Sequence, residues 1–295
     1  MVSWPNELIE ILGERYGILF LGAGASIAGL TPDSTKLPDW LDLLRQLGQE
    51  LQGADSEYFK KLLCQNKLLD AAQLVTDCIP KQRRRKFLHD LFNSNQMKPG
   101  DFFTHINLID QPVVMTTNYD RLYEKFWDSF TRGDGSPFSS PLTTRSYTDS
   151  DIVAPLREPR SRVYLKLHGC ISKPDDIVLS KSDYNKARNE HSNFFQIVSA
   201  LFQTRTVLFI GCGFSGDPDI ELILEDAAFV SSSAFPHYAL IPAGHHPSFS
   251  KSLKNLSNID LIEYPLDSNG GHSKAKEAIE ELAKRVEDYR SMQTP

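Results

Sequence analysis

The stretch "GILFLGAGAS" (residues 17–26) joins a short apolar run to a glycine-rich turn. The residues from Ile18 to Leu21 are all apolar and lack the in/out alternation of a half-exposed strand, which favours a strand covered on both faces. Gly22 and Gly24 come where this strand stops and a helix can start, and glycines at such a turn let backbone amides approach a diphosphate. The stretch predicts the first strand, turn and helix of a parallel sheet. A tight turn that binds no ligand is the alternative.

Further apolar runs of the same kind predict the other strands. They are "PVVMTT" (112–117), "VYLKL" (163–167), "TVLFI" (206–210), "HYALI" (237–241) and "IDLIEY" (259–264). Helical patterns lie between them, notably over 40–52, 120–130, 182–203, 217–229 and 273–290. Because buried strands that alternate with helices are typical of α/β proteins, we predict a doubly wound parallel sheet of the Rossmann-like kind.

Two intervals depart from this alternation. Residues 40–108 contain no convincing strand and have the pattern of amphipathic helices with charged faces, which indicates a helical insert. Residues 131–160 are rich in Gly, Ser, Pro and Thr, and the interval exceeds the roughly 12–15 residues beyond which irregular loops become uncommon. We therefore predict a single domain over 1–295, with a helical insert and an irregular loop that becomes ordered over a bound nucleotide or an interface.

Composition and charge argue against several classes of protein. The net charge of −6 gives no electrostatic footprint for a polyanion. The basic run "KQRRRK" (81–86) lies in a predicted helix beside acidic neighbours, so a solvated helix face is favoured over a nucleic-acid or partner patch. The four cysteines form no CxxC pair, which argues against a zinc site and suits a reducing compartment. With no signal-peptide pattern and no run near the roughly 18 apolar residues of a membrane span, we expect a cytoplasmic protein without metal, membrane or direct nucleic-acid partners.

The glycine turn differs from the fingerprint of a dinucleotide-dependent dehydrogenase. That fingerprint has a third glycine where this chain has Ile27, and an acidic residue at the end of the next strand. Here the residues that follow, "PDWLDLLRQLGQEL" (38–51), have the pattern of a helix. A plain dehydrogenase site is therefore disfavoured.

Small and polar residues follow four of the predicted strands. In chain order they are Gly22, Ala23, Gly24 and Ser26; Asn118 and Asp120; His168 and Gly169; and Gly211, Gly213 and Ser215. Ligands of open parallel sheets bind outside the carboxyl ends of the strands, so we expect these residues around one crevice. Taken singly, an asparagine there is more often a turn former and a histidine more often structural. The combination indicates a binding site.

Four motifs carry a resemblance to a known family. "GAGAS" (22–26), "TTNYD" (116–120), "KLHG" (166–169) and "GCGFSGD" (211–217) resemble the sirtuin-like superfamily. Their order and spacing are similar to those of its zinc-free branch of bacterial NAD-consuming defence effectors, and the resemblance runs from about residue 16 to 290. The sirtuin deacylases have Thr-Gln-Asn-Ile-Asp at the second motif and two cysteine pairs for zinc. This chain departs from both features, which points away from deacylation.

The resemblance implies a sirtuin-type fold and the cleavage of NAD, as a substrate, into nicotinamide and ADP-ribose. Asn118 and His168 are then catalytic: the amide holds a water or a ribose hydroxyl, and the imidazole polarises the ribose hydroxyls or accepts a proton from the attacking water. Asp183 and Tyr184 resemble a family pair at a helix start, where a helix cap is the alternative. The resemblance also implies that Gly22, Ala23, Gly24 and Ser26 hold the diphosphate. We further expect Asp120 to bind the nicotinamide carboxamide or to offset the developing positive charge, and Gly169, Gly211, Gly213 and Ser215 to complete the NAD-binding set, the last three at the adenine-side ribose.

Two other functions stay open from the residues alone. With acyl-lysine or a protein acceptor in place of water, the same site would serve an NAD-dependent deacylase or an ADP-ribosyltransferase. Without turnover, it would serve a module that binds NAD or ADP-ribose and sets assembly. An NAD hydrolase has to be restrained in a living cell, so for an NAD-depleting effector of antiphage defence we expect homo-oligomers or a separately encoded sensor or ATPase partner.

Overall fold

The strands form a parallel sheet. A computed structural model of the protein describes residues 2–31, 33–34, 36–92, 97–131, 141–158, 161–213, 236–268 and 270–293. The strands are β1 (Gly17–Leu21), β2 (Val113–Thr116), β3 (Leu142–Ser146), β4 (Arg162–Lys166), β5 (Thr206–Ile210), β6 (His237–Pro242) and β7 (Ile259–Tyr264). They pair in the order β3-β4-β2-β1-β5-β6-β7, and every pairing is parallel. The predicted parallel, Rossmann-like α/β fold is confirmed.

Helices connect these strands. Before β1 lies α1 (Asn6–Gly13). Between β1 and β2 lie α2 (Ala23–Ala28), α3 (Trp40–Gly48), α4 (Gly53–Cys64), α5 (Leu68–Cys78), α6 (Lys81–Phe92) and α7 (Phe102–Ile109). After β2 they are α8 (Leu122–Thr131), α9 (Val153–Arg157), a 3-10 turn (Pro174–Asp176), α10 (Lys181–Glu190), α11 (Ser192–Thr204), α12 (Pro247–Ser257) and α13 (Ser273–Gln293). Within the described ranges, every helix is too short or too polar to span a lipid bilayer. The helix predicted over 217–229 lies outside the described residues.

Both faces of the sheet are covered by apolar side chains. Along β1, Leu19 and Leu21 belong to one hydrophobic cluster, whereas Ile18 and Phe20 belong to the other. All four are almost completely buried. Because successive side chains of a strand point to opposite faces of the sheet, a strand inside a doubly covered sheet has to be apolar throughout. This explains why β1 is a continuous apolar run.

Helices α3 to α6 pack on one face of the sheet. Their buried residues Leu44, Phe59, Val75 and Leu88 lie in the same hydrophobic cluster as Leu19 of β1. Between β1 and β2, the residues that the structure describes form helices and no strand. The helical insert therefore shares a core with the sheet instead of enclosing a separate one.

Residues 131–160 were predicted to form an irregular loop. The described part of this interval contains β3 and α9, so it is not irregular throughout. β3 lies at the edge of the sheet and pairs with β4. Its residues from Leu142 to Arg145 are only half-buried, so this strand lacks the continuous apolar run that marks the central strands. The β-branched pair Thr143 and Thr144 was the available signal, and the pairing with β4 decides the structure.

Candidate functional site

Four neighbouring strands end at the same level. Leu21 of β1 pairs with Thr116 of β2 on one side and with Ile210 of β5 on the other, and Thr116 pairs in turn with Lys166 of β4. Each of these residues is the last of its strand. The segments that carry the described predicted site residues therefore leave the sheet side by side, at the carboxyl edge where ligands of such sheets bind.

The glycine turns after β1 and β5 pack backbone against backbone. Gly22 N donates to Ile210 O at 2.9 Å, and Gly24 N donates to Gly211 O at 2.9 Å. Gly211 has φ +70°, and a Cβ at this position would lie 2.2 Å from Ala25 N. Any side chain there would meet both the left-handed backbone conformation and the neighbouring turn. The close approach of the two turns therefore depends on glycine.

One of the amides predicted to bind the diphosphate has a partner within the protein. The Gly24 amide already donates to a protein carbonyl, so it does not point at a ligand in this arrangement. Ala23 is the first residue of α2, and the amides of a first turn have no acceptor within their own helix. Ser26 is buried and takes part in side-chain hydrogen bonds. Of the four residues predicted at the diphosphate, Ala23 has a backbone amide that can face a ligand, whereas Gly22, Gly24 and Ser26 make the hydrogen bonds that build the turn.

Asn118 is held through its side-chain amide. Nδ2 donates to Gly22 O at 2.8 Å and to Ser26 Oγ at 2.9 Å, and the backbone N–H of Asn118 donates to Thr116 Oγ1 at 2.9 Å. A carbonyl only accepts, and the Ser26 hydroxyl gives its hydrogen to Asp120 Oδ2 at 2.8 Å. The Asn118 atom that faces both groups must therefore be the nitrogen. Both amide hydrogens are used inside the protein. No residue in the described part of the chain donates to Oδ1, which can therefore accept a hydrogen bond from a ligand.

Asp120 lies one step further along this network. It is 5% exposed, its Oδ2 accepts from Ser26, and its Oδ1 accepts from the backbone N–H of Leu122 at 2.9 Å. An aspartate that accepts from an amide at the start of the following helix caps that helix. The sequence predicts a contact between Asp120 and the nicotinamide carboxamide. In the structure each carboxylate oxygen accepts from one protein donor and keeps a second lone pair for a ligand. Through Ser26, Asp120 also orients Asn118.

His168 follows β4 by two residues, as Asn118 follows β2. The histidine is 3% exposed, and its ring meets that of Tyr184 edge-on with 5.0 Å between centroids. Behind it the chain turns sharply, because Gly169 has φ +85° and a Cβ there would lie 2.4 Å from Asp176 O. The left-handed backbone and the close carbonyl together require glycine.

Hydrogen bonds join the segment that carries Asn118 to the segment that carries His168. Ile171 N donates to Tyr119 O at 2.9 Å, Tyr119 Oη donates to Val178 O at 2.7 Å, and Val178 N donates to His168 O at 3.1 Å. Tyr119 is the residue next to Asn118 in the chain. The structure thus brings the two predicted catalytic segments together on adjacent strands.

Lys166 and Glu124 form a buried pair next to this network. Lys166 belongs to the motif "KLHG", but neither residue is among the predicted site residues. Lys166 is 0% exposed, its Nζ donates to Asp120 O, and Glu124 Oε1 lies 3.6 Å from the same Nζ. Burial raises the pKa of Glu124 above its usual value, and the nearby Lys166 only partly opposes this rise. A signal was present in the apolar run "VYLKL", because a lysine is almost never fully buried unless it is paired.

The remaining predicted residues are placed as follows. Gly213 is exposed at the end of a described range, and Ser215 lies outside the described residues. Asp183 forms a capping box with Ser180 at the start of α10, so it follows the helix-cap alternative, whereas its neighbour Tyr184 packs on His168. In the described ranges, His, Cys, Asp and Glu side chains form no group of three or more that could hold a metal ion.

A cavity of about 230 Å³ lies between α6, the 3-10 turn and α10. Asp183, the helix-capping residue, lines it, whereas none of the described residues of the predicted catalytic and NAD-binding sets does. Lys81 and Arg85, from the basic run at 81–86, form ion pairs with Asp175 at 3.3 and 3.1 Å. These two basic side chains therefore meet an acidic group of the same chain.

Comparison with known proteins identifies the family. A family model described as a SIR2-like domain matches residues 112–262, just over half of the 295 residues. The chain belongs to the SIR2-like domain family. The matched part begins just before β2 and ends within β7, so it includes both Asn118 and His168. The resemblance to the sirtuin-like superfamily is confirmed.

The SIR2-like chain is also similar to curated bacterial proteins. It is 27% identical over 224 residues to the NAD(+) hydrolase ThsA of Bacillus cereus (strain MSX-D12), which covers 73% of this chain and 40% of that protein. It is 29% identical over 221 residues to the NAD(+) hydrolase ThsA of Cytobacillus dafuensis, with 74% and 39% covered. Defense-associated sirtuin 2 of Bacillus subtilis is 24% identical over 278 residues, which is 90% of this chain and 25% of that protein. The chain thus spans about two fifths of the length of these ThsA relatives.

Proposed function

We propose that this SIR2-like chain hydrolyses NAD to nicotinamide and ADP-ribose. The observation that carries the proposal is the hydrogen-bond network at the strand ends, in which Gly22 and Ser26 hold the Asn118 amide and leave its Oδ1 for a ligand. The names of the relatives support the same activity, because two of those described above are NAD(+) hydrolases.

Asn118 suits the chemistry of this cleavage. Breaking the bond between nicotinamide and ribose passes through an oxocarbenium-like transition state at the anomeric carbon, and nicotinamide leaves readily once it is positioned. The protein therefore mainly has to hold the substrate and place one nucleophile. The neutral Asn118 amide can accept a hydrogen bond from water or a ribose hydroxyl without competing as a nucleophile. Its contacts with Gly22 and Ser26 orient it before the substrate arrives.

His168 acts as the general base in this proposal. It follows β4, the neighbour of the strand that leads to Asn118, and neighbouring strands lie about 4.8 Å apart. An imidazole that takes a proton from the attacking water, or polarises a ribose hydroxyl, typically contributes about 10²–10⁴-fold to the rate. The edge-on contact with Tyr184 supports this role because it restrains the ring.

The remaining contacts with NAD are also part of the proposal. The diphosphate lies at the turn from Gly22 to Ser26, with the Ala23 amide as its donor. The adenine-side ribose lies near Gly211 and Gly213, and Gly169 lets the chain turn behind the catalytic histidine. Ser215, the third residue of this predicted contact, lies outside the described residues. NAD is the substrate in this scheme, and the reaction as written needs no metal.

We further propose a setting for this activity. An enzyme that drains NAD harms its own cell, so it has to stay inactive until a trigger arrives. Homo-oligomer formation, or a separately encoded sensor or ATPase, supplies this control in the proposed scheme. The similarity to a protein named Defense-associated sirtuin 2 supports a role in antiphage defence, and the cytoplasm, which holds NAD, is the proposed compartment.

The test is NAD consumption by the purified protein, followed by chromatography of the products. We expect the wild type to release nicotinamide and ADP-ribose, and Asn118→Ala and His168→Ala each to lower the rate by at least about 10²-fold. Asn185 and His245 are exposed residues of the same types, so Asn185→Ala and His245→Ala are matched controls that keep the wild-type rate. The assay is run over a range of protein concentrations, so that it also detects an activity that only an oligomer has.

Other outcomes would point to another function. If NAD binds in a calorimeter and no nicotinamide is released in any oligomeric form, with or without an activating partner, the proposal is wrong and the chain is a binding module. Transfer of an acyl group or of ADP-ribose, detected by mass spectrometry with an acylated peptide present, would favour a deacylase or an ADP-ribosyltransferase.

A further inference from the structure

Lys166 is fully buried at the end of β4. Burial of an ammonium group is costly unless the group is paired and hydrogen-bonded. Lys166 Nζ donates to Asp120 O, lies 3.6 Å from Glu124 Oε1, and lies 5.2 Å from the centroid of the Tyr164 ring. The ammonium group is therefore compensated by a carbonyl, a carboxylate and an aromatic ring.

Stability alone does not account for this pair. Replacement of a buried ion pair by apolar residues of similar volume is often neutral or stabilising. Glu124 Oε2 is buried without a hydrogen-bond partner among the described residues, so the pair leaves a buried carboxylate oxygen unsatisfied, which costs stability. What distinguishes Lys166 is its hydrogen bond to the main chain of Asp120, in the turn between β2 and α8.

That turn controls the orientation of Asn118. The Asp120 carboxylate accepts from the Ser26 hydroxyl, and the Ser26 hydroxyl accepts from the Asn118 amide. On the other side, Lys166 precedes His168 by two residues in the chain. One side chain thus connects the turn that carries Asn118 to the strand that leads to His168.

We propose that Lys166 is a positioning residue for NAD hydrolysis. Its ammonium group holds the turn that carries Asn118 against the strand that leads to His168. The inference rests on the proposed function for the reaction it serves, whereas the contact between Lys166 and the turn stands on hydrogen bonds alone.

The experiment separates positioning from stability. Lys166→Met removes the hydrogen bond and leaves Glu124 buried without its partner, so this variant is destabilised. In the double variant Lys166→Met with Glu124→Leu, apolar contact replaces the ion pair, and we expect unfolding close to that of the wild type. In both variants kcat falls by at least about 10-fold while KM changes by less than about 3-fold, because a small displacement of the catalytic groups slows the chemical step. Val198→Ala, in the opposite hydrophobic cluster, is a destabilised control that keeps the wild-type kcat.

A second measurement does not depend on activity. Both Asn118 side-chain amide hydrogens are hydrogen-bonded in the wild type, so NMR should show slow exchange with solvent, and exchange at least about 10-fold faster in either variant. The same faster exchange is expected in both variants, so the test needs only one of them to fold. Wild-type kcat and unchanged exchange in a folded variant would overturn the role of Lys166. A wild type that exchanges slowly and releases no nicotinamide in any oligomeric form, with or without an activating partner, would instead overturn the proposed function.

Discussion

At position 211 the backbone has φ +70°, and a Cβ would lie 2.2 Å from Ala25 N. Gly270 offers a matched comparison, because it has φ +77° and no described atom within 4 Å of its Cβ position. Gly270→Ala therefore reports the cost of a left-handed backbone alone, which we expect to lower the free energy of unfolding by about 1–2 kcal/mol. Gly211→Ala adds a collision with the turn after β1, and we expect a further loss of about 1–3 kcal/mol.

Urea unfolding of the wild type and these two variants measures the difference. Equal losses for Gly211→Ala and Gly270→Ala would mean that the two glycine turns separate without cost. The contact inferred between them would then be wrong.

A second prediction at the residue scale concerns pH. Burial lowers the pKa of His237 from 6.5 to about 4, and its Nδ1 accepts a hydrogen bond from Val207 N at 3.1 Å. The unfolded chain binds this proton below about pH 6.5, whereas the folded chain binds it only near pH 4. The stability from this group is therefore complete at pH 7 and falls as the pH falls from 6.5 towards 4, by up to about 1.4 kcal/mol per pH unit.

Replacement of His237 removes this dependence. Between pH 7 and pH 5, we expect the free energy of unfolding of the wild type to fall by about 2 kcal/mol more than that of His237→Gln. The glutamine can still accept from Val207 N but does not titrate. Urea unfolding at both pH values tests this, and an identical pH dependence of the two proteins would contradict the neutral, buried histidine.

At the scale of the elements, Arg290 links the last described helix, α13, to two other helices. Arg290 donates to the carbonyl oxygens of Gly13 at 3.0 Å, Leu12 at 2.8 Å and Ile109 at 2.9 Å. These carbonyls belong to the last turns of α1 and α7, where they lack partners within the helix and where the helix dipole favours a cation. The guanidinium group thus caps two helices from a third.

Loss of this contact should be visible in stability. Arg290→Met keeps the apolar part of the side chain and removes the donors, and we expect the free energy of unfolding to fall by about 2–3 kcal/mol. Arg285 on the same helix forms a surface pair with Glu281 at 2.8 Å, so Arg285→Met should cost less than about 0.5 kcal/mol. Thermal unfolding compares the two variants. A loss no larger for Arg290→Met than for Arg285→Met would show that the hydrogen bonds of Arg290 do not stabilise the attachment of α13.

Prediction of the elements succeeded where the pattern is local. The central strands are apolar along their whole length because helices cover both faces, so β1 and β5 are visible in the sequence. The segment 182–203 was predicted as one helix, and the structure has two that meet at His191. Buried residues at helical spacing continue across this break, from Tyr184 to Phe194 and Val198. Periodicity reports which face is buried and does not report where the backbone changes direction.

At the scale of the molecule, the winding of the chain determines where the site lies. From β1 the sheet extends through β2 and β4 to β3 on one side, and through β5 and β6 to β7 on the other. The order of winding therefore reverses at β1, and ligands of such sheets bind at this reversal, outside the carboxyl ends of the strands. The turn from Gly22 to Ser26 lies at this position, between the segments that follow β2 and β5.

Control of the proposed activity also belongs to this scale. If NAD hydrolysis is restrained by assembly, nicotinamide release per chain should rise with protein concentration, or on addition of a sensor or ATPase partner. Analytical ultracentrifugation at the same concentrations gives the oligomeric state. A monomer that is fully active by itself would contradict control by assembly and would leave the hydrolase proposal in place.

The sequence by itself determined the class of fold, the family and the residues that stand at the strand ends. These are properties of short segments: a buried strand is apolar, and the residues directly after it face the carboxyl edge. Only the tertiary structure decided which groups at that edge can meet a ligand. The Gly24 amide, the Asp120 carboxylate and the Lys166 ammonium group are engaged by residues distant in the chain. Such partners meet only when β1, β2, β4 and β5 lie side by side, so no local pattern can indicate that Asn118 is left with a single acceptor oxygen.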